Sequence, residues 1–177
     1  MLFDLRQLHG DRAHVERTFE AAAFEPPDED YRVSAPVHLS MDVEKASADV
    51  FRVAGRVSTR LELECGRCLE PYEIAVDAPF ELRYVPQSEN SGEGDHEVGE
   101  DDLTTAYYRE GVVDVIDLLR EQFQLALPMK PLCSEACQGL CAVCGTNLNR
   151  SSCECKPRWE DPRLAALKGL LDRQKEN

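Results

Sequence analysis

Eight cysteines hold most of the chemical potential of this 177-residue chain. Six of them, Cys133, Cys137, Cys141, Cys144, Cys153 and Cys155, fall within PLCSEACQGLCAVCGTNLNRSSCECKPRW. Their order is C-x3-C, three residues, C-x2-C, eight residues, C-x-C. The other two form Cys65-Gly-Arg-Cys68. Thiols this dense make disulfides in an oxidising compartment, and metal ligands or redox pairs in a reducing one. The opening residues MLFDLRQLHGDRAHVERTFE reach a charge at Asp4 and hold no sustained apolar stretch, so they do not read as a signal peptide. No apolar run approaches the roughly 20 residues that a membrane-spanning helix needs. The expectation is a cytoplasmic chain with reduced thiols, and therefore metal.

Cys141-Ala-Val-Cys144-Gly145 reads as a zinc knuckle. Two thiolates close on one ion, backbone N–H groups point at the sulfurs, and the glycine lets the chain bend back. Cys153 and Cys155 can complete a tetrahedron at about 2.3 Å per Zn–S bond. If those four form one site, Cys65, Cys68, Cys133 and Cys137 remain for a second, which would staple a hairpin to a segment more than 60 residues on. A different split, with Cys137 joining Cys141 and Cys144, stays open. Cys65-Gly-Arg-Cys68 alone would also suit a redox dithiol. Such a pair normally opens a helix, whose dipole lowers the thiol pKa, and strand patterns flank it here.

Enzyme signatures are missing. His9, His14, His38 and His96 are scattered, with no H-E-x-x-H, and there is no P-loop, G-x-S-x-G or dinucleotide fingerprint. All-cysteine zinc sites are closed and structural, without the open coordination position catalysis requires. The reading is therefore not an enzyme, with no catalytic residues and no small-molecule substrate.

The elements that must position these cysteines are mostly strands. From Phe51 the odd positions Phe51, Val53, Val57, Leu61 and Leu63 are apolar, with Thr59 interrupting, while Arg52, Arg56, Arg60, Glu62 and Glu64 take the even ones. After Cys68 the parity switches, and Ile74, Val76, Ala78, Phe80, Leu82 and Tyr84 alternate with charge. That is the period of a half-buried hairpin. Ala35–Val43 reads as a strand beside it, Met1–Leu8 as a short strand, Arg12–Ala23 as modestly helical, and Ala106–Val113 as a further short strand. Asp114 caps a helix to about Leu127, which Pro128 stops. A last helix begins at Asp161-Pro162. The fold class expected is α+β: an antiparallel sheet with packed helices and a C-terminal cysteine-rich zinc ribbon. Its parts are an α+β domain over 1–130 with an acidic loop at 87–102, a ribbon-like module over 131–160, and a helix over 161–177.

Charge bounds the partners. The net charge is -14, and residues 1–128 carry 12 basic against 28 acidic side chains. A protein that grips phosphate backbones by itself carries a basic face. Contact with RNA would have to pass through a protein partner or a local patch such as Arg150, Lys156 and Arg158 beside Trp159.

The order strand-CGRCLEPYE-strand, acidic gap, VVDVIDLLREQFQLALPMKPLC, CQGLCAVCGTNLNRSSCEC resembles the YceD family of large ribosomal RNA subunit accumulation proteins over roughly residues 35–172. The resemblance implies a bacterial or plastid-derived factor needed for normal accumulation of 23S ribosomal RNA, with the large-subunit precursor, its RNA or its proteins, as partner. It also implies that Cys65 and Cys68 act as one unit and the 141–155 ribbon as a second module. Two structural zinc ions are expected. The alternatives are a cytosolic thiol-redox protein or zinc-linked chaperone, and a metal-stapled adaptor for a non-ribosomal partner.

Overall fold

A computed structural model describes residues 1–8, 10–89 and 103–155. Its strands are β1 (Leu2–Asp4), β2 (Arg12–Phe19), β3 (Arg32–Val33), β4 (Val37–Lys45), β5 (Phe51–Glu64), β6 (Pro71–Pro86), β7 (Thr105–Tyr108) and β8 (Val112–Asp114). One helix, α1 (Val115–Ala126), follows. The larger sheet runs β2-β4-β5-β6-β7, with β3 also paired to β5, and β1 pairs β8 in a small second sheet.

The β5–β6 hairpin is the spine, in register from Phe51 opposite Tyr84 to Glu64 opposite Pro71. Its alternation is realised as a face: Phe51, Val53, Val57, Leu61 and Leu63 are buried, and so are Val76, Phe80 and Tyr84. Thr59 also belongs to that face, because its hydroxyl donates to the Ala35 carbonyl at 3.1 Å. On the opposite face Arg52, Arg56 and Arg60 each reach diagonally to an acid of β6: Glu81, Asp77 and Glu73. Exposed pairs of this kind contribute about 0–1 kcal/mol each. Burying one large apolar side chain contributes about 1.5–3 kcal/mol. The inner face therefore carries the stability.

Helix α1 closes that core. The Asp114 carboxylate accepts from the Ile116 N–H at 2.9 Å, satisfying one of the free donors at the helix start. Val115, Leu118, Leu119 and Phe123 are buried. Phe123 packs against Phe24 at a tilt and against Tyr31 edge-on, with ring centroids 5.5 and 5.9 Å away. Leu127, which precedes Pro128, is extended and ends the helix.

Three expectations are corrected. Arg12–Ala23 is not helical; Arg12–Phe19 forms β2, an edge strand whose partner is β4, and a single 3-10 turn follows at Ala21–Phe24. The sheet is mixed, because β7 runs parallel to β6. The expected strand 106–113 divides in two. Glu110 and Gly111 both take positive φ, 53° and 75°, making a tight turn that sends β8 to β1 instead. Among the described residues α1 is the only α-helix. The expected helix at 161–177 and most of the acidic stretch, residues 90–102, lie outside them, as do His9, His96, Lys156, Arg158 and Trp159.

The chain sorts into two compact units. Met1–Cys65 with Glu70–Cys133 holds every described strand and α1. Gly66–Leu69 with Ser134–Asn177 forms the other. Its described part is built from turns and one bridge, Leu140 opposite Asn147.

Candidate metal centres

In the turn-built unit, the Cys141 N–H donates to the Thr146 carbonyl at 2.8 Å, and the Gly145 N–H returns to the Cys141 carbonyl at 2.9 Å. Gly145 takes φ 72°, a conformation only glycine adopts at little cost. That loop is the tight turn expected at Cys141–Gly145. The Val143 N–H points at Cys141 Sγ at 3.4 Å, and the Thr146 hydroxyl lies 3.1 Å from Cys144 Sγ. Cys153 and Cys155 bring their sulfurs to the same place, all four within 4.8 Å of one another. A zinc tetrahedron sets sulfurs about 3.8 Å apart, given Zn–S bonds of about 2.3 Å.

Electrostatics prepare this group for a cation. The Thr146 hydroxyl, followed by its backbone N–H, lowers Cys144 to about 6. The backbone N–H of Cys144 lowers Cys141. Hydrogen bonding to the Cys144 sulfur pushes Cys155 up to about 12. Without metal, then, the group keeps some protons and sheds others, and a dication would displace those that remain.

The other four sulfurs, of Cys65, Cys68, Cys133 and Cys137, also lie within 4.8 Å of one another. Cys65 follows the end of β5 and its N–H donates to the Glu70 carbonyl at 3.0 Å. Residue Leu69, just after Cys68, takes φ 58°. The guanidinium of Arg67 donates to the carbonyls of Cys137 at 2.8 Å and Glu135 at 3.4 Å. The Leu140 N–H donates to the Arg67 carbonyl at 3.0 Å. Gly139 allows that approach, since a Cβ there would stand 3.0 Å from the same carbonyl oxygen. The Asn149 amide donates to Cys137 Sγ at 3.3 Å.

The residues fit a soft dication. Every donor is a thiol sulfur, the set that selects zinc among common cations. Cys65, Cys68 and Cys137 are buried. The Tyr72 hydroxyl is buried without a hydrogen-bond partner among the described residues. Its acidity is weakened by burial and then by the negative charge of Cys65 and Cys133. Each set of four can thus hold a metal ion. The sulfurs divide into these two fours, and the split that joins Cys137 to Cys141 and Cys144 is not the one found.

No histidine belongs to either set. His14 pairs with Asp42, and His38 with Thr18, on the outer face of the sheet. Sequence reasoning missed Arg67, Thr146, Asn149 and Tyr72. The one available signal was the polar run Thr146-Asn-Leu-Asn149 between two cysteine pairs.

Residues 53–171 match the family model described as "Large ribosomal RNA subunit accumulation protein YceD". The chain belongs to the YceD family. Among relatives, it is 30% identical over 159 residues to "Large ribosomal RNA subunit accumulation protein YCED homolog 1, chloroplastic" of Zea mays, covering 77% of this chain and 54% of that one. It is 31% identical over 110 residues to "Large ribosomal RNA subunit accumulation protein YceD" of Haemophilus influenzae, covering 59% and 57%. With YlbN of Bacillus subtilis it shares 26% over 184 residues, covering 99% and 98%. The chain spans about half the length of the plant YceD relatives it matches. No solved structure matches it. None of its described helices is long and apolar enough to cross a membrane.

Proposed function

We propose that this YceD-family chain is a non-enzymatic, cytoplasmic zinc protein that supports accumulation of 23S ribosomal RNA and assembly of the large ribosomal subunit. One observation carries the reading: the matched span 53–171 contains all eight cysteines, and they gather into two sets of four. Four thiolates saturate a zinc ion and leave no position for substrate or activated water. The metal is therefore structural, holding loops in a unit whose described residues have almost no regular backbone pairing of their own.

A net charge of -14 opposes the approach of bare RNA. The partner is accordingly a large-subunit precursor reached at least partly through ribosomal protein. Along the sequence Arg150, Lys156 and Arg158 cluster around the last two cysteines, and RNA contact is assigned to these cations.

The test is affinity purification of the tagged chain from its own cytosol, with mass spectrometry and RNA sequencing of what accompanies it. Recovery of 23S precursors with large-subunit proteins is expected. Recovery of neither sinks the reading. In cells depleted of the protein, 23S RNA should fall relative to 16S, and a variant with serine at all eight cysteine positions should not restore it.

A further inference from the structure

Asn149 stands in the loop between Cys144 and Cys153, yet its side chain serves a cysteine of the other set. Its Nδ2 donates to Cys137 Sγ at 3.3 Å and to Asn147 Oδ1 at 3.1 Å. Its Oδ1 accepts from the Gln138 N–H at 2.8 Å. These three bonds fix which way the amide points. Were it turned over, the Gln138 N–H would face a donor and the Cys137 sulfur would lose one. The Asn149 N–H also donates to Asn147 Oδ1, at 3.0 Å, so the backbone is held as firmly as the side chain.

We propose that Asn149 is a positioning residue for the ion held by Cys65, Cys68, Cys133 and Cys137, and that it makes tight binding there depend on a filled site at Cys141, Cys144, Cys153 and Cys155. This rests on the zinc reading above. Four thiolates around a dication leave two surplus negative charges. An N–H aimed at a buried sulfur offsets part of that surplus, and its effect grows where water is excluded. Cys137 is 4% exposed, so the donated proton acts in such surroundings. What holds Asn149 in place is the loop from Gly145 to Ser152. An ion bound through Cys144 and Cys153 pins both ends of that loop, and an empty site frees them. The loop then samples more conformations, and the Asn149 bond to Cys137 must be re-formed against that entropy.

The Gln138–Asn149 and Leu140–Asn147 links make this more than one contact. The Leu148 N–H also donates to the Gly139 carbonyl, at 2.9 Å. Together they join the two stretches along residues 138–140 and 147–149. Asn149 is the point where that ladder reaches a sulfur.

The experiment is chelator competition on the zinc-loaded full chain, with the two sites resolved by cadmium-113 resonances after metal exchange. Asn149→Ala should weaken one site by about 10–100-fold and shift its resonance, leaving the other near its wild-type affinity. Asn149→Asp should weaken it at least as much, because it keeps the Gln138 bond while setting a negative oxygen against the sulfur. Cys153→Ser should empty one site and weaken the other in the wild-type background, with little further loss when Asn149 is already alanine. Far-ultraviolet dichroism checks that the sheet remains folded in each variant. Two bound ions with unchanged affinities in Asn149→Ala overturn the proposal, as do independent, additive losses in the double variant. A wild-type chain that binds no zinc overturns the metal reading along with it.

Discussion

Leu69 and Gly145 occupy the same left-handed backbone region, φ 58° and 72°, each directly after the second cysteine of a C-x-x-C turn. The two turns thus share a bend although only one has the residue suited to it. A side chain in that region costs about 1–2 kcal/mol. Leu69 is 55% exposed, so burial returns little of that. Leu69→Gly should leave both sites intact and raise stability by about 0.5–1 kcal/mol, the strain relief less the added freedom of glycine in the unfolded chain. Gly145→Leu should lower it. Urea denaturation of metal-loaded protein checks both signs.

The chain should carry two zinc ions when purified reduced and without chelators. Elemental analysis decides this. Cys68→Ser and Cys144→Ser should each lose one ion, and the double variant both. If either single variant loses both ions at saturating zinc, the sulfurs act as one cluster.

Gly55 sits where strand β5 is crowded by its neighbours. A Cβ there would lie 2.6 Å from the Ser40 carbonyl oxygen, 2.7 Å from Met41 Cβ and 2.7 Å from the Phe80 ring. Phe80 could turn a little, but the backbone oxygen could not. Gly55→Ala should therefore destabilise by about 1–3 kcal/mol through overpacking, read as a lower urea midpoint at unchanged slope.

Phe123, on the buried face of α1, is fully buried against Phe24 and Tyr31. Phe123→Ala should cost about 3–5 kcal/mol by the cavity it opens. A thermal scan showing less than 1 kcal/mol of loss would mean that α1 does not seal the core.

His14 stands opposite Asp42 across the β2–β4 ladder, Nδ1 to Oδ1 at 2.9 Å. That bond, then one to Glu16, raises the imidazole above its ordinary 6.5. A raised folded value means the charged form is favoured by folding. The contribution is present in full below about 6.5 and disappears as pH climbs through the raised value. Proton NMR should find the His14 midpoint above 6.5, and Asp42→Asn should bring it down. A midpoint unmoved by that change contradicts the pairing.

The hairpin was legible because β5 and β6 bury one face each, and a strict two-residue period needs no knowledge of the partner. The helix was legible for a similar local reason, since Asp114 and Pro128 bracket it. β2 was not. Arg17 falls among the apolar positions Ala13, Val15 and Phe19, and an edge strand has less need of a continuous apolar row, so its Ala, Glu and Arg content suggested a helix. β7 and β8 were joined in one reading because the turn at Glu110-Gly111 is only two residues long. Which strands they pair with is a long-range choice: Val85 meets Tyr107 in parallel, and Phe3 meets Val113 from the other end of the chain. No local pattern encodes either.

At the cysteines, spacing exposed the four from Cys141 to Cys155, and simple subtraction proposed the rest. Spacing says nothing about the groups that hold sulfurs in place. Arg67 looked like one more surface charge, and Asn149 like one more loop amide. Their roles come from carbonyl and sulfur positions that exist only after folding.

The hairpin register also sets a timetable for synthesis. β5, Cys65, Cys68 and β6 can zip together from adjacent sequence as they leave the ribosome, while Cys133 is about 65 residues further along. At roughly 5–20 residues per second, that is a delay of about 3–13 s. During it, the first two thiols of every newborn copy wait as an open pair, exposed to oxidants and stray metal before their companions exist. Thiol labelling of stalled nascent chains should find them reactive until Cys137 has emerged.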